Sequence, residues 1–329
     1  MGSKSTIQWT DASWTPIRAR VKEDAAAIAT AKGYTSLVQI ATDMAGHVGP
    51  HCEHVSDGCT KCYSETGNGR CLTHNGTGLP FDRRARDLVD IIVDEKILEW
   101  PLHWKKPRKV FVCSQTDLFG EWVTDEMIDR VFAVMALCPQ HTFQVLTKRP
   151  DRMLKWFGAT KPHGNFLPMT TPQRVDSAAG EFTGCQDDLI VKAWPLPNVW
   201  LGVSCEDQPT ADVRAHYLRQ VPAAIRFISQ EPQLSKIDWT GDMLHGISWL
   251  IVGGESGPGA RPFDIEWASK TIEQCKAAGV AVFVKQIGAK PFHSLDKEYP
   301  RVPLEDRKGG DMGEWPVRLR VRQFPEVRA

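Results

Sequence analysis

The chain has 329 residues, with 40 Lys and Arg against 40 Asp and Glu and so no formal net charge. That balance excludes a global basic field of the kind that gathers nucleic acid or an anionic membrane, and leaves only local patches for such partners. No run of about 18 apolar residues exists to span a bilayer, and the start Met-Gly-Ser-Lys-Ser-Thr lacks the apolar core of a secretory signal. A soluble cytoplasmic protein with no membrane partner is expected. Nine cysteines, an odd number and mostly scattered, point the same way to a reducing compartment, because a chain of this length needs no disulfide staples.

From the N-terminus, a first strand is predicted near Ile7–Trp9, followed by an insertion over 17–49. Cys52, Cys59 and Cys62 then stand as C-x6-C-x2-C, directly followed by Tyr63. A cubane [4Fe-4S] cluster normally takes four thiolates, so three leave one iron open to a small molecule. Zinc is the competing reading, with His54, His74 or Cys71 completing a tetrahedral set. From Lys109 onward short apolar runs alternate with helix-like segments: Val110–Cys113, Thr142–Leu146, Val199–Val203, Ile225–Ser229, Trp249–Val252 and Ala281–Lys285. Continuous apolar runs suit parallel strands covered on both faces. Between them Asp125–Leu137 reads as a helix capped by Thr124, with Ile128, Val131, Phe132 and Met135 on one face, and Ile265–Ala278 as a helix closed by Gly279.

The count of strands predicts an α/β fold, a complete or partial (β/α) TIM-like barrel with insertions at 17–49 and 158–197; a doubly wound sheet is the rival. In a barrel the site gathers at the carboxyl ends of the strands. The residues that follow the apolar runs are Ser114 to Asp117, Thr147 to Arg149, Ser204 with Glu206 and Asp207, Gln230 and Glu231, Glu255 and Ser256, and Lys285 and Gln286. Gly253 and Gly254 allow a close backbone approach, and Lys148, Arg149 and Lys285 are cations suited to a carboxylate or phosphate. In the tail, Arg318, Arg320 and Arg322 alternate with Leu319 and Val321, as a solvated edge strand or a nucleic-acid contact strip.

Taken together, these features resemble the radical S-adenosylmethionine superfamily and, more narrowly, a phage-associated three-cysteine-motif family of unassigned function. The segments that carry the resemblance are Ile7–Pro16, Val55–Tyr63, Asp117–Phe119, Phe143–Pro150, Gly253–Pro262 and Lys285-Gln286. What the resemblance implies is a radical S-adenosylmethionine-type barrel over 1–292, with 293–329 as a C-terminal extension packed on it. It implies a [4Fe-4S] cluster on Cys52, Cys59 and Cys62, with S-adenosylmethionine as second cofactor. Residues expected to hold that cofactor are Ser114, Asp117, Lys148, Glu206, Gly253, Gly254, Glu255 and Lys285. An enzyme generating a 5'-deoxyadenosyl radical is implied, with an external electron donor, a nucleobase, nucleotide or nucleic-acid substrate, and the host cytoplasm as its compartment. The alternatives are a zinc-binding structural or nucleic-acid-binding protein, and a barrel whose cluster is not catalytic.

Overall fold

The structure, a computed structural model, describes residues 3–5, 7–70, 76–163, 166–184, 190–257, 259–296 and 301–326. The chain divides into two compact units, residues 1–145 with 155–198, and residues 146–154 with 199–329.

The first unit is built on strands β1 (Ala12–Trp14), β2 (Lys109–Val112) and β3 (Thr142–Thr147). β1 pairs with β2 in parallel register, Trp14 beside Val112, and β2 pairs likewise with β3, Val112 beside Val145. Ile7–Trp9, predicted to be the first strand, is instead a turn, where Thr10 N–H donates to Ile7 O. Its aromatic end misled the pattern: Trp9 is buried by packing on Phe111, 4.8 Å between ring centroids, and not by strand pairing. Helix α1 (Tyr63–Arg70) follows the cysteines. Helix α2 (Asp125–Leu137) has the predicted bounds, with Thr124 Oγ1 accepting from Met127 N–H at 3.3 Å. The 17–49 insertion is not a bare excursion. Its strand Ile17–Val21 lies between Val48–Gly49 and Val89–Val93 in an antiparallel sheet, and Ala25, Ala29, Leu37 and Ala41 from its two helices join Val21, Leu88 and Val89 in an apolar core. In the 158–197 segment, helix α3 (Thr171–Thr183) packs Ala178 and Ala179 on Ala133 of α2. Buried Arg174 donates to Asp129 of α2 at 3.0 Å, and Trp156 Nε1 donates to the same carboxylate at 2.9 Å.

The second unit carries β4 (Val199–Ser204), β5 (Ile225–Gln230), β6 (Trp249–Gly253) and β7 (Ala281–Gln286), each parallel to the next. These strands are almost wholly buried, as expected of parallel strands covered by helices. Helix α4 (Gln208–Gln220) starts at the capping residue Asp207, and helix α5 (Ile265–Ala278) runs from Asp264 to the left-handed Gly279, as predicted. The tail doubles back onto β7: Val284 N–H donates to Val321 O and Gln323 N–H to Val282 O. The alternating edge strand expected of the tail is not what forms: Val317–Leu319 is a short 3-10 helix and only Arg322 makes an isolated antiparallel bridge, to Phe283, while all three arginines are engaged by carbonyls or a carboxylate of the chain itself. Arg322 donates to Val284 O, Lys285 O and Gly310 O, Arg320 to Trp315 O and Gly313 O, and Arg318 pairs with Glu266.

Seven parallel strands with helices between them make a mixed α/β protein, with the make-up of a partial barrel. In the first unit the outer edge of β1 is taken by antiparallel Ser3–Lys4; in the second the outer edge of β7 is taken by the tail. Both end strands are thus capped by antiparallel neighbours. Among the described residues no helix is long and apolar enough to cross a membrane.

Candidate functional site

The cysteine segment has an unusual burial pattern. None of residues 52–63 is buried, whereas His51 before them and Ser64 after them are. Both ends are tied to the turn that leaves β2. The Thr116 hydroxyl donates to His51 O, the Tyr63 hydroxyl to Ser114 O, and Ser64 Oγ to Gln115 O at 2.9 Å. That turn starts at Cys113, a buried residue with φ of 54°, a conformation that side chains other than Asn and Asp seldom adopt. The three thiols are therefore presented, partly exposed, past the carboxyl end of a parallel strand, where a β/α fold places its chemistry.

Carboxylates brace the segment on each side. Glu53 receives Arg86 Nε at 2.5 Å and Nη2 at 2.7 Å, and lies 3.6 Å from His51 Nε2. Burial would raise its pKa, but the neighbouring His51 and the hydrogen-bonded Arg86 outweigh that and hold it down to about 2. Glu65 Oε2 lies 2.7 Å from His54 Nε2, and Glu65 Oε1 accepts Phe81 N–H at 2.8 Å. Three soft thiolate donors on a solvent-reachable segment fit an iron–sulfur cluster or zinc in donor chemistry. Among the described residues, however, no three His, Cys, Asp or Glu side chains are drawn together closely enough to hold an ion. Cys71, His74 and Cys185 lie outside the described residues. The remaining four cysteines are buried: desolvation pushes Cys138 and Cys275 up to about 12, and Cys113 and Cys205 well above the ordinary thiol range. They are protonated core residues and not ligands.

Of the eight residues expected to hold a cofactor, Ser114 and Asp117 lie in the first unit. Ser114 contributes its carbonyl to Tyr63, and the buried Asp117 accepts Phe119 N–H at 3.0 Å, closing the turn after β2. The other six lie in the second unit, where charge pairing dominates. Lys148 Nζ stands 2.5 Å from Glu206 Oε1; the other oxygen of that buried carboxylate receives Arg214 Nη1 at 2.9 Å. Lys285 Nζ lies 2.6 Å from Glu231 Oε1. This second pair joins β7 to the end of β5 across β6, and Gly253 of β6 makes room for it, since a Cβ there would lie 3.1 Å from the Glu231 carboxyl. Gly254 is confined more severely: a Cβ would meet Ile287 O at 2.8 Å. Glu255 is held by Arg261, through the backbone N–H at 2.9 Å and the guanidinium at 2.6 and 3.1 Å, closing the Gly-rich loop upon itself.

Two strand-end residues prove to be core glue. Gln230 is fully buried between Thr271 and Trp239 Nε1, and Gln286 donates to Gly254 O at 2.8 Å. Conversely, sequence reasoning missed His51, Arg86, Arg214 and Arg261. An arginine on a helix or loop reads as a solvated charge, and nothing in the spacing pairs Arg86 with Glu53 or Arg214 with Glu206.

Parallel strands alternating with helices, and a thiol-rich segment seated past one strand end, define an α/β protein with a candidate metal centre. The chain belongs to DUF5131, a family of proteins of unknown function, whose model matches residues 42–310 and so takes in the three cysteines and every strand from β2 to β7. No curated protein and no solved structure matches the chain.

Proposed function

We propose that this protein is an iron–sulfur enzyme of the radical S-adenosylmethionine type, acting on a nucleobase or nucleotide in a phage-associated setting. Cys52, Cys59 and Cys62 would hold the cluster, and the observation that carries the reading is the segment they share, unburied along its length yet anchored at both ends past β2. When bound, a reduced cluster with S-adenosylmethionine would supply one-electron radical chemistry. The chain's own side chains position and bind. Tyr63 and Ser64 secure the start of α1 on the β2 turn, and Glu53 with Arg86 keeps Cys52 near it. Lys148 and Lys285 supply cations for a carboxylate or phosphate. Each already faces a glutamate, so an incoming anion binds by exchange with Glu206 or Glu231 and not at a bare charge.

The test is anaerobic purification with iron and sulfide analysis, followed by dithionite reduction in the presence of S-adenosylmethionine. About four irons and matching sulfide per chain, with release of 5'-deoxyadenosine, support the reading. One zinc and no sulfide sinks it in favour of a zinc-binding structural or nucleic-acid-binding protein. That second reading has an observation of its own, the His54–Glu65 pair beside the thiols.

A further inference from the structure

We infer that a nucleic-acid strand is held, through its phosphates, on the basic segment 104–109 at the amino ends of β2 and β3, in the first unit and at the opposite end of β2 from the thiols. The inference rests on the reading above only for the class of partner, and needs neither metal nor cofactor.

The segment reads Trp104-Lys-Lys-Pro-Arg-Lys109, and between Glu99 and Asp117 the chain contains no acidic residue. Lys105, Lys106 and Pro107 are exposed. Among the described residues Lys105, Lys106 and Arg108 have no carboxylate partner, whereas Arg86, Arg130, Lys148, Lys161, Arg174 and Lys285 are each engaged in an ion pair. The nearby carboxylates are occupied elsewhere. Glu95 pairs with Arg130, which also feels the charge of Glu99, and Asp11 Oδ2 accepts the backbone N–H of Lys109 at 2.7 Å. In a chain of no net charge this is an uncompensated positive patch. Phosphates can approach it without displacing a glutamate, as they must at Lys148 or Lys285.

The patch is also fixed in place. Trp104 ends the short helix Trp100–His103, its N–H donating to Pro101 O at 3.2 Å, and Arg108 O accepts Thr142 N–H at 2.9 Å where β3 begins. Both ends of the loop are thus tied down. The Arg108 guanidinium lies over the Trp104 ring, 4.8 Å from its centroid, and that indole meets the buried His141 edge-on at 5.6 Å. Burial, with Arg108 adding to it, holds His141 below the ordinary histidine range, so the ring is a neutral seat near pH 7. A guanidinium so held loses less freedom on meeting a phosphate than a free lysine does, and cations beside an aromatic ring are the make-up of grooves that track a single strand. No large apolar side chain of the segment is exposed, which argues against a membrane surface, whose binders need an apolar anchor.

Fluorescence anisotropy of a labelled deoxythymidylate oligonucleotide, titrated with metal-free full-length protein at about 50 and about 200 mM salt, tests this. Phosphates neutralised by Lys105, Lys106 and Arg108 give a slope of about −2 in log affinity against log salt, so affinity should fall roughly 15–20-fold over that range. Lys105→Gln, Lys106→Gln and Arg108→Gln combined should remove most of the slope and weaken binding at the lower salt by about tenfold or more. Arg108→Lys keeps the charge without the planar group seated on Trp104, and should keep the slope while losing affinity a few-fold. Lys276→Gln, which removes an exposed cation of the second unit, should match the wild type. Circular dichroism and thermal midpoints establish that each variant is folded. Wild-type binding by the triple variant overturns the inference, as does absent or salt-insensitive binding by the wild type. Loss in Lys148→Ala with Lys285→Ala, and none in the triple variant, places the strand on the second unit and overturns it equally. Polyglutamate or phosphatidylserine vesicles that compete as well as unlabelled oligonucleotide overturn the nucleic-acid assignment in favour of an acidic protein or a membrane. The iron, sulfide and 5'-deoxyadenosine measurements are independent of all these outcomes, so failure at the patch and failure at the thiols are told apart.

Discussion

At the scale of single residues, Glu53 has the clearest signature. Its folded pKa of about 2 lies below the ordinary 4.5, so its contribution to stability is complete above pH 4.5 and is lost as pH falls toward 2. A shift of that size corresponds to something on the order of 3 kcal/mol. Glu53→Gln is expected to lower the urea midpoint at pH 7 and to flatten its decline between pH 4.5 and 2, measured by tryptophan fluorescence. A variant that declines as steeply as wild type would falsify the assignment. The glycines give a graded pair. Gly254→Ala forces a Cβ against Ile287 O, which is backbone and cannot yield, and should cost about 1–3 kcal/mol. Gly253→Ala meets only the end of the Glu231 side chain, so stability should change little while the Lys285 pair is disturbed. Thermal scans of the two variants check the order; equal losses contradict it.

At the scale of elements, β4 and β5 show how a buried parallel pair is fitted. Gly202 lies beside Phe227, and a Cβ on it would stand 2.5–2.6 Å from that ring. Gly202→Ala should therefore destabilise by about 1–3 kcal/mol, and Phe227→Leu in the same chain should recover part of the loss, a coupling that a double-mutant cycle in urea measures. Additive losses would show that the ring and the glycine are not in conflict. The tail is the other informative element. Beyond its bridge to β7, Gln323 O accepts Trp249 Nε1 at 2.8 Å and Phe324 stacks on Trp249 at 5.3 Å. Truncation before Val321 exposes both the β7 edge and an indole that is otherwise fully buried. A lower thermal midpoint and concentration-dependent aggregation are expected; unchanged light scattering on heating argues against an edge-guarding role.

At the scale of the whole molecule, the thiols among the described residues divide into two populations. Cys52, Cys59 and Cys62 are partly exposed, while Cys113, Cys138, Cys205 and Cys275 are buried with thiols pushed up by desolvation. Brief alkylation of the folded, metal-free chain at neutral pH should label the first three, and the buried four only after denaturation, as peptide mass spectrometry would report. Metal uptake should protect the first three. Labelling of a buried cysteine at the same rate contradicts its burial in the fold.

Much of this was legible beforehand, and the reason differs by feature. Helices Asp125–Leu137 and Ile265–Ala278 were readable to the residue because caps and apolar periodicity are local properties. Six of the strand runs were readable because short, largely apolar runs bounded by polar residues recur along the chain with helix-like segments between them. The first strand was not, since Ile7–Trp9 and Ala12–Trp14 are equally short and only pairing with Lys109–Val112 distinguishes them. The spacing of the three cysteines was legible at once. Their bracing was not, because Glu53 meets Arg86, Glu65 meets Phe81, and Tyr63 meets Ser114 through contacts between residues far apart in the chain. The sequence by itself determined the class of fold and the helix limits, which follow from composition and periodicity over a few turns of chain. Only the tertiary structure decided which charges are paired, which strand-end residues are core, and which histidine has a carboxylate behind it, because each of those depends on the free energy of groups that folding alone brings within hydrogen-bonding distance.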